Sequence, residues 1–208
     1  MLCAVLKFFQ TGSMRTMSFV PCPQWGAPSC NPEELAHCFN ERSPIPSWLA
    51  QFSLELWRVY TNSDPADFSQ LMDRLGQGHA MQTVIRYVIA EYPSVTNGLS
   101  RTEEALLRSA RQPDSVLRIV GRTIGNSDDT IGDIPLYEKV REFLIAKIPT
   151  LELSDETHVV ERGSLEDFSR LTVRPTSFAL ELLASKADYL AVDGTDRWVG
   201  GTVSGTFG

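Results

Sequence analysis

Cys22, Cys30 and Cys38 follow one another at steps of eight residues, with His37 beside the last. Thiols with an imidazole are the ligand set of structural zinc, but such sites draw on pairs about two to four residues apart, a geometry these steps do not supply. These three and Cys3 are expected to be free thiols. Asn126, Asp128, Asp129 and Asp133 offer oxygen ligands for calcium or magnesium. Their spacing is not that of an EF-hand loop and the glycine is misplaced, so Asp133 reads as the cap of a following helix and the other three as solvated loop. Nucleophilic catalysis needs a Ser or Cys within reach of a base. The histidines are His37, His79 and His158, and none sits in a catalytic motif. No G-x-G-x-x-G follows a strand and no G-x-x-x-x-G-K occurs, so no catalytic residue, metal ligand or cofactor is assigned. The sharpest local signature is Asp196-Arg197-Trp198 ahead of Gly200-Gly201. Arg197 beside an exposed Trp198 would suit a carboxylate, a phosphate or a base. The alternative, which the residue types favour, is that Trp198 plugs the core while Arg197 and Asp196 tie the last strand to a helix.

The elements that position these residues are mostly helical. Residues 1–45 crowd Pro21, Pro23, Pro28 and Pro32 with Gly26, which reads as an irregular leader. One short helix is expected inside it, with Asn31 as N-cap, Pro32 in the first turn and Glu33 and Glu34 at the positive end of the dipole. Residues 46–98 read as a three-helix bundle. The first helix carries Leu49, Phe52, Leu56, Trp57 and Tyr60; the second opens at Asp64-Pro65 and carries Phe68, Leu71, Met72 and Leu75; the third carries Met81, Val84, Ile85, Val88 and Ile89. From residue 99 to 208 the rhythm changes. Ser100 and Glu103 form a capping box. Pro113-Asp114 restarts the chain into Val116, Leu117, Ile119 and Val120, with Gly125 suited to a left-handed stop. Asp133 and Pro135 then open a helix with Leu136, Val140, Phe143, Leu144 and Ile148 as its stripe. Leu151 and Leu153, then Val159 and Val160, flank a polar turn as in a hairpin. Thr176 caps a helix through Phe178, Leu180, Leu182 and Leu183. Tyr189–Val192 and Trp198–Val203 read as strands on either side of a turn at Asp193-Gly194. The expected fold class is therefore mainly α with a small β component, a helical bundle followed by a winged-helix-like unit with C-terminal strands.

A winged helix raises DNA binding, in which its third helix enters the major groove and Lys139 and Arg141 are the contact candidates. The charge argues otherwise. The chain holds 19 Lys+Arg against 26 Asp+Glu, a formal net charge of -7, the wrong sign for coating nucleic acid or anionic lipid. From Arg101 to Lys147 eight basic residues face eight acidic ones, and Glu138 and Glu142 stand among Lys139, Arg141 and Lys147. The apolar start, MLCAVLKFF, is broken by Lys7 and falls far short of the roughly 20 residues of a membrane span. A cytoplasmic protein with no membrane partner is expected.

Three segments carry a family likeness: EYPSVTNGLSRTE at Glu91–Glu103, IGDIPLY at Ile131–Tyr137 and DRWVGG at Asp196–Gly201, with LELWRVYTNSDPADF leading into them. Over residues 50–203 the chain resembles the C-terminal part of the uncharacterised bacterial family catalogued as domain of unknown function 1835. Members of that family carry a larger N-terminal domain, which residues 1–45 do not resemble, and tend to have glycine where Ala179 stands. The resemblance implies a winged-helix-like region and no catalytic chemistry. The function expected from residues and resemblance together is a non-enzymatic binding or regulatory accessory module that contacts an unknown protein partner. A winged-helix DNA-binding regulator is the alternative, and the remnant of an enzyme whose catalytic domain is missing is a second.

Overall fold

The computed structural model describes residues 18–22, 27, 30–62, 64, 66–75, 80–127, 132–154, 164–193, 198–199 and 202–203. By its contacts the chain divides into two units, residues 1–79 with 200–202, and residues 80–199 with 203–208. The fold is mainly helical with a small sheet component, as the residue pattern predicts. No described helix is long and apolar enough to cross a membrane.

In the first unit, β1 (Ser18–Phe19) pairs antiparallel with β2 (Ser43–Pro44), a ladder that the reading of residues 1–45 as irregular leader did not include. Between them lies α1 (Pro32–Asn40). Asn31 caps it as expected: its Oδ1 accepts from the N–H groups of Glu33 and Glu34, while Glu34 Oε2 accepts from the Asn31 N–H. Helix α2 (Ser47–Tyr60) buries Ala50, Ser53, Leu56 and Val59. The expected stripe was turned about one residue from this, so that Leu49, Phe52, Trp57 and Tyr60 are half-buried. This helix is apolar over most of its circumference, and its two small residues, Ala50 and Ser53, fix which side sinks deepest. Helix α3 (Asp67–Leu75) buries Phe68 and Leu71. Asp64 accepts from the Ala66 N–H at 2.8 Å to start the turn into it, and Arg74 pairs with Glu55 of α2 at 2.5 Å.

The unit boundary falls ahead of α4 (Ala80–Ala90), so the third helix of the expected bundle groups with the second unit. Side-chain chemistry explains it. Glu91, just past the end of α4, pairs with Arg101 at 3.1 Å and accepts from Thr102 at 2.8 Å, and the Arg101 guanidinium lies 4.7 Å from the ring centre of Tyr87. Those partners open α5 (Arg101–Ser109).

The rest of the second unit runs β3 (Asp114–Ser115), α6 (Val116–Gly125), α7 (Asp133–Ile145), β4 (Leu151–Leu153), α8 (Leu165–Arg170), β5 (Thr172–Pro175), α9 (Ser177–Leu183) and α10 (Tyr189–Asp193). Strands β3, β5 and β4 form an antiparallel sheet in that order, with Asp114 opposite Val173 and Leu153 also opposite Val173. The order from α5 is thus helix, strand, helix, helix, strand, helix, strand, with the first strand paired to the last. The partner of β4 is β5, not Val159-Val160; residues 155–163 lie outside the described residues. Both α8 and β5 escaped the sequence reading, although Ser164 and Asp167 form a capping box as recognisable as that of Ser100. Tyr189–Asp193 is helix where strand was expected. A short apolar run fits either period, and Asp188 decides it by accepting from the Leu190 N–H at 3.0 Å at the helix start. Strand character near the C-terminus is present as β6 (Trp198–Val199) and β7 (Thr202–Val203).

One core fills the second unit. Leu106 of α5, Ile119 of α6, Leu136 and Phe143 of α7, Val173 of β5 and Leu182 of α9 are all fully buried. The Phe143 ring meets Tyr189 edge-on, with centroids 6.1 Å apart. The turn before α5 closes this core. Gly98 has φ +72°, and a Cβ there would collide with the Asp188 carboxylate and lie 2.7 Å from the Leu190 nitrogen. Buried Asn97 donates to the Leu182 carbonyl, accepts from the Leu99 N–H, and offers its own carbonyl to the Tyr189 N–H at 2.8 Å. The segment Glu91–Glu103 is thus a structural clasp.

Phe143→Ala is expected to cost about 3–5 kcal/mol in denaturant melts. Gly98→Ala should also destabilise, by more than about 1 kcal/mol, because left-handed backbone strain adds to the collision. Val95→Ala, at a fully exposed position of the same turn, is the control and should stay within about 0.5 kcal/mol of the parent. A Gly98→Ala protein as stable as the Val95 control would remove the clasp from the account.

Candidate functional site

Helix α7 carries Lys139 and Arg141, the two basic contact candidates of the sequence. It starts at Gly132, an extended N-cap that lends no side chain. Asp133, expected as the cap, instead occupies the first helical position and accepts from the Ile134 N–H at 2.8 Å. The reason is chain placement: with Pro135 two residues later, the extended residue that must precede the first turn falls on Gly132. Ser100 and Glu103 do form the capping box assigned to them, at 3.2 and 2.8 Å. Gly125 does not supply a left-handed stop; it is the last residue of α6, and Asn126 follows with φ -99°.

The apolar periodicity of α7 turns Leu136, Tyr137, Val140 and Phe143 into the core. That rotation leaves Ile134, Glu138, Glu142 and Ile145 along the opposite face, at steps of four, four and three. Ile134 is 63% exposed and Ile145 69%, and Ile148 is exposed just past the helix end. Lys139 and Arg141 flank this face but are turned inward. Lys139 Nζ lies 3.3 Å from Glu103 Oε1 and 2.5 Å from Glu142 Oε2. Arg141 pairs with Glu138 at 3.4 Å, and its guanidinium lies 4.7 Å from the ring centre of Phe168. Among the described residues Arg141 Nε is buried without a hydrogen-bond partner. The outward face therefore carries carboxylates and isoleucines, and its cations already have anionic partners. The exposed Ile134 and Ile145 are the functional candidates that the sequence reading missed, since the stripe of this helix was drawn through the wrong residue at its end, Ile148 in place of Tyr137.

The remaining candidates fall as follows. Arg197 lies outside the described residues, as does the side chain of Trp198, whose backbone belongs to β6. Asp128 and Asp129, His79 and His158 also lie outside them. His37 is exposed and faces Glu41 at 3.4 Å. Cys22 and Cys30 each come close to Cys38. Burial first, then the neighbouring Cys30 and Cys22 thiols, raise the Cys38 pKa above its ordinary value. Among the described residues no group of three or more His, Cys, Asp or Glu side chains is placed to hold a metal ion.

The Glu103 side chain is almost wholly buried, so its charge needs Lys139 more than the α7 surface does. Lys139→Ala is expected to lower stability by about 1.5–3 kcal/mol, the range for charged hydrogen bonds whose partner stays buried. Glu142→Ala, which removes the exposed partner of the same lysine, should cost under about 1 kcal/mol. Thermal melts of the two variants decide it, and equal losses would show that the buried pair carries no special weight.

No family model, no curated protein and no solved structure matches the chain, so what the site does is argued from its own geometry.

Proposed function

We propose that the second unit is a non-enzymatic protein-contact module, an accessory or regulatory domain of winged-helix-like build that acts in the cytoplasm. The observation that carries this reading is the outward face of α7, where Ile134, Glu138, Glu142 and Ile145 stand in a row. DNA carries a phosphate charge about every 1.7 Å of its axis, so a reading helix that shows it carboxylates loses the counterion-release term on which such binding depends. The complementary partner is a protein segment that alternates basic and apolar residues, matching two carboxylates between two isoleucines. The likeness to the C-terminal region of domain of unknown function 1835 is compatible with this role and adds no chemistry to it.

Two measurements test the proposal. Fluorescence anisotropy with duplex DNA across a salt series should show no salt-linked binding, and tight binding lost in a Lys139→Ala/Arg141→Ala double variant would overturn the reading in favour of a DNA regulator. In the second, an amphipathic helical peptide of lysines and leucines serves as probe. Glu138→Lys/Glu142→Lys should weaken its binding by about tenfold or more, whereas Glu166→Lys on α8 should leave it unchanged. Equal weakening by both changes would reduce the effect to net charge and sink the site.

A further inference from the structure

A cleft of about 520 Å³ opens among α4, α5 and α6, away from the outward face of α7. Its size falls within the roughly 300–1,000 Å³ of small-molecule sites. Arg101, Ala105 and Arg108 line it from successive turns of α5, with Ser109 beside them, and Arg122, Thr123 and Asn126 line it from the end of α6; Tyr87 closes the α4 side. The cleft exists because the two α5 positions between the arginines and at the helix end, Ala105 and Ser109, are small. Three guanidiniums thus border one concavity whose lining, among the described residues, includes no carboxylate.

Each arginine is held by an anion outside that lining. Arg101 pairs with Glu91, Arg108 with Glu104, and Arg122 with Asp114 at 2.6 Å while donating to the Ser109 carbonyl at 2.9 Å. These bonds fix the planes, and on Arg108 and Arg122 they leave donors over. Arg108 binds Glu104 through Nε and Nη2, so Nη1 has no partner among the described residues; Arg122 spends Nη1 and Nη2, which leaves Nε. The Asn126 amide is exposed beside them. The hydrogen bond from Arg122, then that from the Ser115 N–H, lowers the Asp114 pKa. A carboxyl lowered in this way stays charged until the pH falls through its depressed value, so the Arg122 clamp is intact at neutral pH.

A simpler role for such arginines is to neutralise helix ends. The C-termini of α5 and α6 both lie here, but each contributes only about half a negative charge, which accounts for one guanidinium of the three. Forked, pre-oriented N–H donors are what a phosphoryl group takes bidentately. We propose that this cleft binds a small phosphorylated molecule, its phosphoryl oxygens on Arg108, Arg122 and Asn126 and the remainder against Tyr87 and Ala105. The outer carboxylates reduce the long-range field, so recognition rests on directed hydrogen bonds and is of moderate strength.

Titration calorimetry of the full chain tests this, with pyrophosphate and ADP as probes and citrate as the non-phosphate oxyanion. Pyrophosphate and ADP should bind, citrate should bind more weakly, and Arg108→Gln should weaken both phosphate probes by about tenfold or more, the value of a charged hydrogen bond. Arg174→Gln, on the sheet and outside the cleft, should bind as the parent does. Arg108 is half exposed and bonded to one helical neighbour, so its variant should melt with the parent. Ser109→Asp, which places a carboxylate in the cleft, should abolish binding even if Arg108→Gln is impaired in folding. The proposal is overturned if neither phosphate probe binds, if citrate binds as well as pyrophosphate, or if binding survives unchanged in Arg108→Gln and Ser109→Asp.

Discussion

A single buried carboxylate organises the second unit. Glu103 is 2% exposed, and water cannot satisfy a charge in that position, so its oxygens must find partners inside the protein. One accepts from the Ser100 N–H and closes the first turn of α5; the other meets Lys139 of α7. The same residue thus ends the clasp of Glu91–Glu103 and pins the rotation of α7. With that rotation fixed, Leu136, Val140 and Phe143 reach the core, and Ile134, Glu138, Glu142 and Ile145 have to face outward. The proposed contact surface is a consequence of where a helix cap sends its second oxygen.

That link also decides what α7 can do. A lysine engaged by a buried carboxylate is withdrawn from any phosphate, and Arg141 is likewise engaged by Glu138 and by the ring of Phe168. What α7 retains is a short apolar and acidic stripe, suited to a basic protein segment. Arg108 and Arg122 of the α5–α6 cleft are held differently: the carboxylates that bind them lie outside the cleft lining, and Nη1 of Arg108 and Nε of Arg122 have no hydrogen-bond partner among the described residues. The position of the anion relative to the open space separates these guanidiniums from that of Arg141, which pairs with Glu138 on the α7 surface.

Much of this was legible in the residues, and the misses have physical causes. Helix starts fixed by side chains within three or four residues, Asn31 with Glu34, Ser100 with Glu103 and Thr176 with Ala179, were readable because the interaction is local. The partner of β4 was not, because Thr172–Pro175 lies some twenty residues on and nothing in its four residues states a register. Asn97 was invisible for the same reason: its role comes from carbonyl and amide contacts to Leu182 and Tyr189, which only the fold brings near. The cleft belongs to this class, since Arg101, Arg108 and Arg122 look like solvated helix charges until α5 and α6 are set side by side. The outward face of α7 was half legible. Glu138 and Glu142 were noted as unfavourable to DNA, but the isoleucines beside them had been assigned no role.

The pairing of Glu103 with Lys139 sets the orientation of α7, and the proposed preference for a protein partner over DNA rests on it. A double-mutant cycle with Glu103→Gln and Lys139→Met, read by reversible denaturant unfolding, isolates it. A coupling of at least about 1 kcal/mol is expected, with the double variant more stable than the sum of the single losses allows, because removing both charges leaves no buried ion unpaired. Losses that add to within about 0.3–0.5 kcal/mol would show that the two groups do not depend on each other.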